Sequence, residues 1–284
     1  MWAGTARWGE TLPGRTEGAG AVREAMPGSL GRVSVRRIVS LVPSLTEAVG
    51  ETAPELLVGV TDWCTHPPGL DCARVRGTKN PDVDAIEALA PDLVLAAFEE
   101  NRQPDLDELR ARGLEVWVCD IRDVDSALTS LAAMLERCGL GRPDWLAAAE
   151  AAWAQPAPTP RRKVAVPIWR KPWMVAGADT FTTSVLDRLG LDNVFDDPPA
   201  DASERYPKAD PDEVRARGAE LVVLPDEPYV FTALDGPEAF PGLDVALVSG
   251  RLLTWYGPSM ATAREELLAA LAAARPGADW AVDR

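Results

Sequence analysis

Histidine, tyrosine and phenylalanine are scarce in this chain of 284 residues, at one, three and five copies against ten tryptophans. A single histidine, His66, excludes a metal centre built from several imidazoles. The four cysteines, Cys64, Cys72, Cys119 and Cys138, form no C-x-x-C pair, so no zinc-ribbon or thioredoxin-like signature is present. Free thiols are expected in a cytoplasmic setting, and a Cys64–Cys72 bridge in an exported one. Positive charge is also short: 29 Lys and Arg face 44 Asp and Glu, a formal net charge of −15. Nucleic acid and anionic membranes repel such a protein, so neither is an expected partner. No apolar run reaches the length of a membrane span, and residues 1 to 36 lack the apolar core of a signal peptide. The chain as written is therefore expected in the cytoplasm, or outside it if translation starts near Met26 or later or export is non-standard. The G-x-S-x-G elbow, the phosphate-binding loop and the H-E-x-x-H helix are missing too, which removes the common enzyme signatures.

What is there is an alternation of strands and helices. "RRIVSLVPSLTEAVG" reads as a strand running into a helix start, with Ser44 as cap and Glu47 three residues on. Strand-like runs follow at 56–61, 92–98 and 115–120, with helical segments at 82–89, 103–112 and 123–139. A second series has strands at 163–169, 220–227 and 252–256, and helices near 180–190, 211–217 and 258–274. Alternation of this kind predicts an α/β protein of two Rossmann-like lobes with mainly parallel sheets. Between them, "RPDWLAAAEAAWAQ" predicts one stiff connecting helix of about 13 residues, roughly 20 Å long. The expected division is a flexible N-terminal extension at 1–36, an N-terminal lobe at 37–141, a connecting helix and linker at 142–160, and a C-terminal lobe at 161–284. An internal match supports it: a shift of 128 positions lays "DAIEALAPDLVLAAFEE" on "DEVRARGAELVVLPDEP", Asp84 on Asp212 and Leu93–Val94 on Leu221–Val222.

Ligands of open parallel sheets collect at the carboxyl ends of the strands, so two such lobes face each other across a shared cleft. Residues placed there are Pro43, Ser44, Trp63, Glu99, Glu100, Trp169, Arg170, Lys171, Trp173, Tyr229, Trp255 and Tyr256. The indoles suit a flat or extended ligand held by stacking. Helix starts at Ser44 and Thr180 suit an anionic group on it, and Arg170 and Lys171 its polar periphery. Cys64 and His66, two apart on an extended segment, would project to one side; with Glu99 and Glu100 they could form a metal site with an open position. An intracellular metal-binding protein or metal-dependent hydrolase would follow from that. His66 could instead be an axial ligand to the metal of a bound corrinoid or haem.

"RIVSLVPSLTEAV" and "GTKNPDVDAIEALAPDLVLA", with "CTHP", "EENR", "KPWM", "RYP", "DEPYVF" and "WYG", resemble the helical-backbone metal receptor superfamily, in particular its cobalamin-binding-like branch. The resemblance runs from about Arg37 to the last helix. It implies the class III periplasmic-binding-protein fold and a substrate-binding protein of an ABC transporter. The captured ligand would be cobalamin or a related metal chelate, an iron-siderophore or haem, with no obligatory cofactor. Carried over by position, Pro43, Trp63 and Tyr206 would touch a corrin, and Asp84 and Asp212 would dock on the arginines of a permease dimer. The binding protein itself is expected to be a monomer that does not insert in the membrane. Thr78 stands where cobalamin binders have an aromatic, and the connecting helix is shorter than theirs.

Overall fold

The computed structural model describes residues 34–199 and 201–282; most of the expected extension at 1–36 lies outside them. In the N-terminal half the chain runs through β1 (Ile38–Ser40), α1 (Pro43–Gly50), β2 (Leu57–Val60), β3 (Ala73–Arg74), the hairpin β4 (Arg76–Gly77) and β5 (Asn80–Pro81), α2 (Val83–Ala88), β6 (Leu93–Ala97), α3 (Gln103–Ala111), β7 (Val116–Cys119) and α4 (Val124–Arg137). These strands form a parallel sheet of order β3-β2-β1-β6-β7. After α5 (Asp144–Trp153) come β8 (Arg162–Ala165), β9 (Pro167–Arg170), β10 (Trp173–Val175), α6 (Phe181–Arg188), β11 (Leu191–Asn193), α7 (Pro211–Ala216), β12 (Leu221–Pro225), β13 (Asp244–Val248), α8 (Gly250–Thr254), α9 (Met260–Ala272) and β14 (Arg275–Pro276). The second sheet has the order β11-β8-β12-β13-β14, with only β14 antiparallel.

The two orders repeat one another. β2-β1-β6-β7 corresponds to β11-β8-β12-β13, with β1 and β8 each at the point where the chain leaves on both sides. The internal match falls on equivalent units: Asp84 and Asp212 sit in the first turns of α2 and α7, which lead into β6 and β12. Each helix is started by an aspartate, Asp82 and Asp210, whose carboxylate accepts from backbone N–H groups of the first turn. Burial on both faces explains why "LVLAA" and "LVVLP" are apolar throughout.

Three expectations need correction. Ser44 does not cap α1: Val42 holds the cap position without a side-chain bond, Pro43 opens the helix, and Ser44 lies buried inside it. The run at 163–169 is two strands, because Pro167 has no N–H to continue the ladder and the chain turns into the antiparallel β9–β10 hairpin. The run at 252–256 is not a strand: α8 buries Leu252 and Leu253 in one turn, and the sheet position belongs to β13. Short apolar runs do not by period alone separate a buried turn from a strand.

The connecting helix is α5, ten residues long. Pro143 precedes it and its apolar face carries Leu146, Ala149 and Trp153. Trp145 Nε1 donates to Thr52 Oγ1 at 3.0 Å on the N-terminal side, and Trp153 Nε1 to the Met260 carbonyl at 2.9 Å on the other. One core cluster accordingly joins Leu45 and Leu131 to Trp153, Val185 and Leu267. A second, smaller core packs Val222, Leu224, Phe231 and Phe240 beneath the β9–β10 hairpin.

Candidate functional site

The carboxyl ends of the two sheets face one another, and side chains from both sides meet between them. The loop after β6 supplies Glu99. Its carboxylate pairs with Arg205 from the C-terminal lobe, a residue only 4% exposed, and accepts from the Tyr206 hydroxyl at 3.1 Å. Burial pushes the Glu99 carboxyl above its ordinary range, against the pull of Arg205 and Tyr206. Glu100 is raised by burial too, opposed by Lys79, whose own ammonium is lowered by desolvation. Lys79 also donates to the Glu99 carbonyl. Asn101 fixes this loop: its Oδ1 accepts from Ala97 N at 3.0 Å and its Nδ2 donates to the Thr78 carbonyl at 2.9 Å.

Further contacts cross the same gap. His66 meets Trp255 edge-on, ring centroids 5.6 Å apart. Tyr256 packs on Phe181 within the C-terminal half, ring centroids 5.7 Å apart. Arg122, held by Asp120 at 2.9 Å, reaches Asp179. Behind them Arg251 of α8 pairs with Glu47 of α1. Arg205, Lys79, Arg122 and Asp179 were not among the sequence-derived site residues. "RYP" and "GTKNP" carried the first two, and nothing local distinguishes the others from surface charges.

The four proposed metal ligands do not come together, and among the described residues no three His, Cys, Asp or Glu side chains are grouped to hold an ion. Cys64 is turned into the core by a tight turn, its N–H bonding the Thr61 carbonyl at 3.1 Å. There its sulfur is contacted by Thr46 Oγ1 at 3.0 Å and Thr61 Oγ1 at 3.1 Å, and burial raises the thiol pKa. His66 stays half-buried at the rim, Nδ1 3.0 Å from Thr65 Oγ1. The spacing argument assumed an extended segment, and the turn defeats it.

The aromatic platform is also smaller than the sequence suggested. Trp63 is exposed, and Trp255 and Pro43 are half-buried at the gap. Trp173 instead stacks on Phe231 at 5.9 Å and meets Phe240 edge-on at 5.4 Å, as part of the second core. Trp169 packs on Tyr229 at 5.7 Å, and the Tyr229 hydroxyl donates to Asp235 at 2.6 Å. Arg170 is committed to Asp235 and Glu238, leaving Lys171 exposed at the hairpin tip. Ser44 and Thr180 are both buried, Thr180 donating to the Gly177 carbonyl at 2.9 Å.

No protein-family profile matches the chain. The vitamin B12-binding protein of Pectobacterium carotovorum is 23% identical over 263 residues, 87% of this chain and 92% of that protein. The crystal structure of the periplasmic vitamin B12-binding protein of Vibrio cholerae superimposes with a TM-score of 0.66 at 19% identity, over 84% of this chain and 98% of that one. A periplasmic haem-binding protein of Roseiflexus gives 0.67 at 20% identity, over 83% and 97%. The chain has the fold of these periplasmic binding proteins and is similar in sequence to a vitamin B12-binding protein. Its class III fold, two sheets of one strand order joined by α5, is the one the sequence resemblance implied. In this chain Tyr206 and Glu99 are bonded to each other across the gap.

Proposed function

We propose that the chain is a substrate-binding protein of the ABC-transporter type, which captures cobalamin or a related metal chelate between its lobes. The observation that carries this is two contacts that join the halves of the chain, His66 with Trp255 and Glu99 with Tyr206, at the carboxyl ends of two like sheets. Binding would draw on the exposed face of Trp63 and the rim ring of His66, which would approach the metal of a chelate from one side. No covalent step is needed. The bond from Glu99 to Arg205 and Tyr206 lies between the lobes, so a ligand either rests upon it or parts it. Large closure is not expected, because α5 is fastened to both lobes.

Asp84 and Asp212 support the partner reading. Their side chains are 87% and 93% exposed on equivalent helices, one in each lobe, held loosely by Arg112 and Arg215. Two carboxylates so displayed suit arginines on a permease dimer. Such a role requires the protein to work outside the cytoplasmic membrane, as the periplasmic relatives do by name. Native mass spectrometry after incubation with corrinoids, haem, ferric siderophores and free metal salts tests the proposal. One-to-one retention of a chelate is expected; retention of none, or of bare metal alone, refutes it.

A further inference from the structure

Loops that follow the strands of the N-terminal sheet touch the C-terminal lobe directly across the gap. His66, after β2, meets Trp255; Glu99, after β6, meets Arg205 and Tyr206; Arg122, after β7, reaches Asp179. A flat chelate lying between two surfaces keeps about 3.5–4 Å from each, so its walls must stand roughly 7 Å or more apart. Rings meeting edge-on with centroids 5.6 Å apart leave no such layer, and neither does a hydrogen bond of 3.1 Å. A ligand that enters here has to part a contact.

The Glu99 contact can part without moving the lobes. Its backbone is held, because Asn101 bonds the Ala97 N–H at 3.0 Å and the Thr78 carbonyl at 2.9 Å while Lys79 donates to the Glu99 carbonyl. Arg205 is held on the other side. Its carbonyl accepts from Gly177 N at 2.8 Å, and a Cβ at residue 177 would lie 3.0 Å from that oxygen. The side chains differ in freedom: Arg205 is 5% exposed and Glu99 27%. The carboxylate therefore has a way out to water by rotation, and the guanidinium stays behind. Burial opposes the Glu99 charge even in the paired state, which weakens the hold.

We propose that Glu99 is an autoinhibitory side chain, which occupies the Arg205 guanidinium and the Tyr206 hydroxyl in the free protein and swings aside before a chelate binds. This rests on the reading of the gap as the ligand site, and within that reading Glu99 is displaced by the ligand rather than covered by it. The carboxylate acts as an internal competitor. Apparent affinity falls in proportion to the fraction of molecules in which the contact is open.

Stopped-flow tryptophan fluorescence of the full chain with cyanocobalamin, haem and ferrioxamine B as probes tests this. Glu99→Gln keeps the shape without the charge, and Glu99→Asp keeps the charge one methylene short of its partners. Each variant is expected to bind the same probe about 10-fold more tightly than the parent, the effect of loosening a charge-assisted contact. The gain should lie in association, with the dissociation rate changed less than about 2-fold, because only the free protein carries the contact. Thermal melts confirm that each variant folds. Equal or weaker binding by both variants overturns the proposal, as does a gain confined to dissociation. Variants that bind a probe the parent does not retain would be its extreme form. If neither the parent nor a variant binds any probe, the reading of the gap falls and the proposal with it, a result distinct from binding that Glu99 does not affect.

Discussion

Replacing Arg251 by methionine isolates the cost of a buried charge that ties the two halves together. Glu47, on α1, has a side chain 2% exposed and its Oε2 already lacks a partner. Arg251 supplies the compensating charge to Oε1 from α8. Breaking a buried pair from one side costs about 3–5 kcal/mol. The Arg251 side chain is 30% exposed, so water can enter the space it leaves, which favours the lower end. Arg251→Met should therefore lose about 3 kcal/mol. Glu47→Leu combined with Arg251→Met removes both charges, and should recover to within about 1 kcal/mol of the parent. Urea unfolding followed by tryptophan emission measures both of these and Glu47→Leu alone against the parent. A single variant that loses less than about 1 kcal/mol, or a double variant as unstable as the two singles summed, refutes the reasoning.

Two further perturbations follow from burial. Glu99, Glu100 and Glu227 all have carboxyl pKa values raised by desolvation, so the folded state holds their protons more tightly than the unfolded chain. Their contribution is full below the ordinary carboxylate range and is lost as pH rises through the raised values. Thermal melts should accordingly show Tm falling from pH 5 to pH 8, and a steady rise over that window would contradict the assignment. Glu238, lowered by the Gly236 N–H and Arg170, acts in the opposite sense and only towards stronger acid. Among the thiols, Cys64 is raised and fully buried, and burial pushes Cys119 and Cys138 up to about 11. At pH 8 a chromogenic disulfide should react quickly with the half-buried Cys72 alone, the other three following only in denaturant. Fast reaction of two or more thiols in the native protein would show that the core around Thr46 and Thr61 opens readily.

The helices and most strands were legible because each lobe repeats a buried strand and an amphipathic helix with strong caps, such as Asp82 before α2 and Asp123 before α4. Even the fold-level repeat was visible, as Asp84 on Asp212. The exceptions are short elements whose form is decided by what lies above them. "LLTWY" becomes a turn of helix because Leu252 and Leu253 enter the shared core, and β9 breaks away at a proline. At the site, sequence reasoning named Trp63, His66, Trp255, Glu99 and Tyr206 but not the cations Arg205, Lys79 and Arg122 that meet the carboxylates there. Glu99 and Arg205 are 106 positions apart, and Glu47 and Arg251 are 204. No local pattern encodes such pairs, since only the docking of the lobes brings them together. The Cys64–His66 pair failed for a local reason instead, a tight turn that sends one side chain inward and leaves the other outside.

The way α5 is fastened has a consequence for anyone who would turn this protein into a sensor. Optical reporters placed one on each lobe depend on the lobes moving apart or together, and here a single core runs through the connector from Leu45 to Leu267. The end-to-end signal should be small. A single dye near Trp63 or on the exposed Lys171 would respond to the arrival of a coloured chelate itself, by quenching, without asking the scaffold to move.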